Sequence, residues 1–182
     1  MDEEAPGAKD AVSRIQAQQS GEAFAAVMSR GLAAMADGRA GQARSAFEQA
    51  LAMRPGSREA QDALDALVRS EQARGLQALT AQALAAEQAE RWDEAKQAWS
   101  GALALEPTLE PARAGLERSL PRLELDQRID AFIRQPEKLW TPAGRASARS
   151  AVAAAADAAG PRTELTRRVA QLSALIAASE TP

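Results

Sequence analysis

The chain has 182 residues, of which 46 are alanine, and a formal net charge of −3. So much alanine favours an all-α fold and disfavours a β-sandwich or barrel, which requires β-branched and aromatic residues. Cysteine, histidine and tyrosine are absent, which excludes disulfides, thiolate zinc sites and histidine-based catalysis. We therefore expect no catalytic site, no metal site and no cofactor.

The N-terminal half is predicted to be helical after a short tail. Residues 1–8 are acidic and contain proline and glycine, so we expect them to be disordered or fraying. A first helix covers Lys9 to Asp37, with Gly21 as a candidate break. The segment 57–90 contains no proline and only Gly75, which favours one long helix. The alternative is a break near Gly75 that gives two helices.

The C-terminal half is predicted to be helical as well. One helix covers Leu109 to Ser119, and a separate one begins at Pro121, because proline is favoured in the first turn. Thr141 is a typical N-cap for a helix over Pro142–Ala159. A last helix covers Arg162–Ser179, and we expect these two final helices to form an antiparallel hairpin.

A shift of the sequence by 52 residues aligns a series of like residues. The aligned pairs include Arg39 with Arg91, Ala43 with Ala95, Ala46 with Ala98, Phe47 with Trp99, Ala50 with Ala102, Pro55 with Pro107, Ala60 with Ala112 and Leu64 with Leu116. Each copy therefore contains a helix with small residues at i, i+3 and i+7 and an aromatic residue at i+4. A proline follows the helix in both copies.

Here the chain resembles the tetratricopeptide repeat family, whose unit is a helix–turn–helix of about 34 residues. The matching positions are Gly31, Ala43, Phe47, Ala50 and Pro55 in a repeat over 24–57, and Ala83, Trp92, Ala95, Trp99, Ala102 and Pro107 in a repeat over 76–109. The excess of the observed spacing over this unit equals about five helical turns, which would lengthen one linking helix without rotating its buried face.

The resemblance implies a TPR-like helix–turn–helix solenoid with an elongated linking helix. We expect this array over 9–120 and a C-terminal helical cap over 121–182. In this family the first helix of each repeat forms the concave binding surface. The implied partner-binding residues are Ala25, Met28, Leu32 and Met35 in the first copy, and Gln77, Thr80, Leu84 and Glu87 in the second.

The apolar part of this predicted surface has two interpretations. Met28, Leu32 and Met35 lie at helical spacing and could form an adaptable groove for an apolar peptide helix. Alternatively, the segment Lys9–Ser20 or a neighbouring helix covers them as ordinary core.

Three tryptophans receive different predictions. Trp92 and Trp99 occupy core positions of the family. Trp140 lies in a connector, where it is either an exposed binding anchor or a side chain that attaches the final hairpin to the array.

Acidic clusters are predicted to be solvated. The first consists of Glu87, Glu90, Asp93 and Glu94. The second is the pair Asp126 and Asp130, with Arg128 as a surface ion-pair partner.

A second resemblance concerns the C-terminal region. Residues 136–139, the alanine-rich helix after them and residues 177–182 are similar to a segment of long membrane-tethered TPR-containing proteins of Gram-negative bacteria. Those proteins have one transmembrane helix near the N-terminus and a small β-rich domain after this segment. The resemblance implies an inner-membrane-anchored parent with this region in the periplasm, the cytoplasm being the alternative. The chain itself has no apolar run long enough for membrane insertion.

The sequence favours a non-catalytic scaffold that binds a peptide or protein partner through a helical-repeat surface, within a larger envelope-associated protein. The alternative is a structural spacer or homo-oligomerisation segment between a membrane anchor and a distal domain. An enzyme would need two buried carboxylates with perturbed pKa values in one pocket. No basic stripe indicates nucleic-acid binding.

Overall fold

The computed structural model describes residues 6–158 and 160–180, and every regular element within them is helical. The elements are α1 (Pro6–Ala36), α2 (Ala40–Met53), α3 (Arg58–Gln88), α4 (Trp92–Leu105), α5 (Glu110–Arg134), a short 3-10 helix (Pro136–Trp140), α6 (Pro142–Ala156) and α7 (Thr163–Ala178). The all-α prediction is confirmed. The helix α1 begins within the tail predicted to be disordered, and residues 1–5 lie outside the described residues.

The predicted long linking helix is confirmed, because α3 continues without interruption through Gly75. Gly21 does not break α1 either. Its backbone keeps helical geometry, since a single glycine lowers helix stability by only about 1 kcal/mol.

The prediction of a helix boundary before Pro121 is wrong, because α5 continues through this residue. Ser119 and Arg122, on either side of the proline, are both buried. Their packing holds both halves of the helix in place although proline removes one backbone hydrogen bond. The predicted boundary between 120 and 121 therefore lies inside a helix. The chain divides instead into two compact units, one up to Arg74 and one from Gly75 onward.

The core of the first unit is built from small residues around one aromatic ring. Phe47 is fully buried, and so are Ala43 and Ala50 on the same face of α2. A Cβ added at Gly31 of α1 would overlap the Phe47 ring. The absence of a side chain at Gly31 thus allows the ring to lie directly against the backbone of α1.

The second unit has the same kind of packing, but its aromatic residue contacts the helix that follows it in the chain. Trp99 is buried among the alanines of α3, α4 and α5. A Cβ added at Gly115 of α5 would overlap its indole. In the first unit the receiving glycine precedes the aromatic residue in the chain, whereas in the second unit it follows.

The turn inside each repeat is also the same in both copies. The amide of Arg39 donates to the carbonyl of Ala34 at 2.8 Å, and the amide of Arg91 donates to the carbonyl of Ala86 at 2.8 Å. These bonds are typical of a Schellman motif, which places one residue in the left-handed conformation. That residue is Gly38 in the first copy, with φ of +73°, but Glu90 in the second, with φ of +55°.

The last two helices form the predicted antiparallel hairpin. Arg145 is near the start of α6 and Glu180 lies just after the end of α7, and Arg145 Nε lies 3.9 Å from Glu180 Oε1. The Thr141 hydroxyl accepts a hydrogen bond from the Gly144 amide at 3.0 Å, so the predicted N-cap is confirmed. The hairpin shares an apolar core with α5 that includes Ile129.

We expect Gly31→Ala to destabilise the first unit by about 1–3 kcal/mol, because the new methyl group overlaps the Phe47 ring. Gly21→Ala on the same helix is the matched control, since its Cβ would meet only Arg54 Nη2 at an ordinary 3.5 Å. That control should be neutral or stabilise by up to about 1 kcal/mol. Urea denaturation followed by circular dichroism measures both. Equal effects of the two substitutions would contradict the proposed close packing.

Candidate functional site

The second unit contains a cavity of about 670 Å³. It lies between α5, the end of α3 and the connection from α6 to α7. Its apolar lining consists of Trp92, Pro121, Leu125, Ala154, Ala158 and Pro161, together with Gly160. Its polar lining consists of Glu87, Gln88, Glu117, Arg118, Arg122, Glu124, Arg128 and Asp157. The volume lies within the range of about 300–1,000 Å³ that is typical of ligand sites.

An indole and a guanidinium group are stacked in the wall of the cavity. The Cζ atom of Arg122 lies 4.7 Å from the centroid of the Trp92 ring, a cation–π arrangement. Both side chains are more than nine-tenths buried. The Trp92 indole nitrogen has no hydrogen-bond acceptor among the described residues. Gly160, with φ of +90°, passes close to the same indole.

Glu90 holds this wall in place through its buried carboxylate. The carboxylate lies 3.0 Å from Arg122 Nη2, and both side chains are almost completely excluded from solvent. It also accepts hydrogen bonds from the amides of Glu164 at 2.8 Å and Leu165 at 3.0 Å. Since these amides belong to the first turn of α7, Glu90 caps a helix that lies far from it in the sequence.

The left-handed backbone of Glu90 is explained by this capping role. A residue with a Cβ in this conformation costs roughly 1–2 kcal/mol. The interactions of its carboxylate with Arg122 and with the first turn of α7 offset that cost. Arg122 also donates to the carbonyl of Pro161 at 3.1 Å, which fixes the α6–α7 connection beside the cavity.

A second buried ion pair adjoins the first. Asp126 Oδ2 lies 2.9 Å from Arg168 Nη2, and Asp130 Oδ1 lies 3.2 Å from Arg168 Nη1. Burial raises the pKa of Asp126 above 3.8, although Arg168 and Arg122 oppose the shift. For Arg168, burial alone would lower the pKa, but the attraction of Asp126 and Asp130 outweighs it and the net shift is upward.

Glu87 is the one implied partner-binding residue that lines the cavity. Its carboxylate accepts a hydrogen bond from Trp99 Nε1 at 2.8 Å and lies 3.2 Å from Arg118 Nη2. The hydroxyl of Ser119 also donates to it, at 3.3 Å. Glu87 therefore joins the core of the repeat to the edge of the cavity.

Three carboxylates in the cavity lining have no such partner. Among the described residues, the carboxylates of Glu117, Glu124 and Asp157 make no ion pair or hydrogen bond, and the guanidinium of Arg128 makes none either. The remaining charged groups of the lining are compensated, since Arg118 pairs with Glu87 and Arg122 pairs with Glu90. The uncompensated charge around the cavity is therefore negative.

The residues of the first copy, for which the sequence left an open groove and an ordinary core as alternatives, differ in burial. Met28 is buried in the core and Met35 is half-buried against it, whereas Leu32 and Ala25 are exposed. Lys9–Ser20 does not cover them, because it belongs to the same continuous helix and is exposed along its length. Met28 is thus covered by the other residues of the first unit.

The implied residues of the second copy are more dispersed. Gln77 and Leu84 are exposed, and Thr80 is half-buried. None of these three residues lines the cavity. Trp140 is exposed, with 76% of its surface accessible, which favours the exposed alternative. Its role as a binding anchor stays a prediction.

The interpretation of the acidic clusters as solvated is wrong for Glu87, Glu90 and Asp126. Glu90 and Asp126 are buried, and Glu87 is mostly buried. The partner of Asp126 is Arg168 from α7, rather than Arg128. Trp92 and Trp99 are both buried, as predicted.

The cavity residues on α5 and on the α6–α7 connection were not predicted from the sequence. One signal pointed to Glu90: the 52-residue shift aligns it with Gly38, at the end of a helix where glycine is favoured. A glutamate at such a position indicates that its side chain has a structural role.

Among the described residues, the buried carboxylates and the cavity lining are different sets. The two buried carboxylates, Glu90 and Asp126, are each paired with arginine, and neither lines the cavity. The described residues contain no group of three acidic side chains placed to hold a metal ion. None of the described helices combines the length and the apolar character needed to cross a bilayer.

Comparisons of the chain with protein-family models, with curated proteins and with solved structures found no match.

We expect Glu90→Ala to destabilise the second unit by about 3–5 kcal/mol, because it leaves the Arg122 guanidinium buried without its partner. Glu90→Gly removes the same carboxylate but tolerates the left-handed backbone, so it should cost about 1 kcal/mol less than Glu90→Ala. Chemical denaturation of the two variants measures this difference. Equal costs would show that the backbone of Glu90 is not strained.

We expect the stability of Asp126→Asn relative to wild type to increase between about pH 3 and pH 7. Because the folded pKa of Asp126 is raised, its contribution to the free energy of unfolding is complete below its ordinary pKa and is lost as the pH rises through the raised value. Asparagine carries no charge at any of these pH values. Thermal melts of both proteins across this range measure the effect. A relative stability that falls with rising pH would mean that the arginines outweigh burial.

Proposed function

We propose that this chain is a non-catalytic scaffold that binds a protein partner through an extended peptide segment of that partner. The binding site is the cavity of the second unit. The single observation that carries the proposal is the cavity itself, a concavity of about 670 Å³ that combines apolar and charged groups. Such a combination is typical of sites that bury part of a ligand and orient it with a few polar contacts.

The frame of the cavity supports binding without rearrangement. The Glu90–Arg122 ion pair connects the α3–α4 turn to α5, and the bonds of Glu90 to the first turn of α7 connect both to the hairpin. The walls are therefore fixed before any partner arrives. A preformed site loses less conformational entropy on binding than a flexible one.

The state of the free carboxylates in the lining favours binding over catalysis. Among the described residues, the carboxylates of Glu117, Glu124 and Asp157 make no hydrogen bond or ion pair that would prepare one of them as a general acid. Shape-complementary burial of a partner segment requires no such group. The cavity borders the repeat predicted over 76–109, because Glu87, Gln88 and Trp92 belong to both.

We expect Ala154→Trp to abolish cavity-dependent binding, because Ala154 lines the cavity and an indole there would fill much of it. Ala153→Trp is the matched control, since Ala153 is an exposed neighbour on the same helix that does not line the cavity. The measurement is a selection of random displayed dodecapeptides on the immobilised protein. Clones retained by wild type and Ala153→Trp but not by Ala154→Trp are expected. Retention that is unaffected by Ala154→Trp, or no retention at all, would contradict the proposal.

A further inference from the structure

We infer that the segment bound in this cavity is basic, with an apolar side chain flanked by arginine or lysine. This inference rests on the proposed function and specifies the chemistry of the partner. It depends on the compensation of charge around the cavity, on the apolar part of its wall and on the position of the free carboxylates.

The charge around the cavity selects a cationic partner. Of the seven ionised side chains in the lining, Glu87 and Arg118 compensate each other and Arg122 is compensated by Glu90. Three carboxylates and one guanidinium remain without partners among the described residues. Arg128 lies one helical turn from Glu124 and offsets it in part, so the excess negative charge comes mainly from Glu117 and Asp157.

The free carboxylates lie on two different elements that border the cavity. Glu117 and Glu124 belong to α5, whereas Asp157 directly follows α6. A segment bound in the cavity would therefore face acidic groups of this chain on both the α5 side and the α6 side. Cationic side chains on either side of a central residue would complement this arrangement.

The apolar wall provides the place for the central residue of the segment. Pro121, Ala154, Ala158 and Pro161 carry no hydrogen-bonding side chain and line the cavity together with Trp92. Arg122 covers the Trp92 ring and is already compensated by Glu90. A cation of the partner is therefore expected beside the free carboxylates, and an apolar side chain against the prolines and alanines.

The alternatives are acidic and uncharged segments. An acidic segment would have only Arg128 as an uncompensated cation and would be repelled by three carboxylates. An uncharged segment would gain the apolar contacts but would leave the carboxylates without partners. Both are distinguishable by experiment, because they differ from a basic segment in charge alone.

The test uses the full chain and three displayed dodecapeptide libraries that share a random apolar centre. The flanking positions are drawn from arginine and lysine in the first library, from aspartate and glutamate in the second, and from serine, asparagine and glutamine in the third. Retention is measured on wild type, on Ala154→Trp and on the triple variant Glu117→Gln, Glu124→Gln, Asp157→Asn. Thermal melts confirm that each variant is folded.

A control is needed because the chain is acidic overall. The triple variant Glu59→Gln, Asp62→Asn, Asp65→Asn makes the same change in net charge at exposed positions of α3 in the first unit. Non-specific attraction of basic peptides would decrease equally in both triple variants. Specific binding would decrease only in the cavity variant.

On wild type, we expect the basic library to be retained on the order of tenfold more than the other two libraries. This excess should disappear in Ala154→Trp and in the cavity triple variant, and it should persist in the control triple variant. Cavity-dependent retention of the acidic or uncharged library at an equal or higher level would overturn the inference and leave the proposed function intact. Equal losses in the two triple variants would also overturn the inference. No cavity-dependent retention from any library would overturn the proposed function together with the inference.

Discussion

The second unit depends on one buried carboxylate. Taking an ionised group out of water costs several kcal/mol, and only good geometry with saturated hydrogen bonding compensates that cost. Glu90 meets this requirement with the guanidinium of Arg122 and two amides at the start of α7. The interaction joins residues more than 70 positions apart in the sequence. It therefore fixes the hairpin against the repeat and determines the position of the α6–α7 connection.

The scarcity of large side chains explains why glycine has a decisive role in both units. Helices lined with alanine approach closely, so a single aromatic ring fills the remaining space between them. Phe47 and Trp99 each require a helix without a side chain at the point of contact, and Gly31 and Gly115 supply it. The core gains specificity from these two contacts, because alanines alone would allow several registers.

Local signals in the sequence predicted most of the fold. The sequence predicted the Thr141 cap and the long helix α3, because each depends on neighbouring residues or on periodicity. The 52-residue repeat was visible for the same reason. The continuation of α5 through Pro121 was not readable, because tertiary packing outweighs the local preference. The cavity was not predicted, because Glu90, Arg122 and Pro161 are distant in the sequence and meet only in the folded chain. The sequence left open whether Met28 lies on an open groove or in the core, because helical spacing does not specify which face is buried.

The distribution of the indoles gives the protein a built-in spectroscopic asymmetry. Trp92, Trp99 and Trp140 all lie after Gly75, so the unit that ends at Arg74 has no intrinsic fluorophore of this kind. Emission on excitation of tryptophan therefore reports on one unit, whereas the helical signal in the far ultraviolet reports on both. Since Trp92 and Trp99 are buried and Trp140 is exposed, unfolding of that unit shifts only part of the emission to longer wavelength. Midpoints that differ between the two signals would separate the stabilities of the units in an unmodified chain.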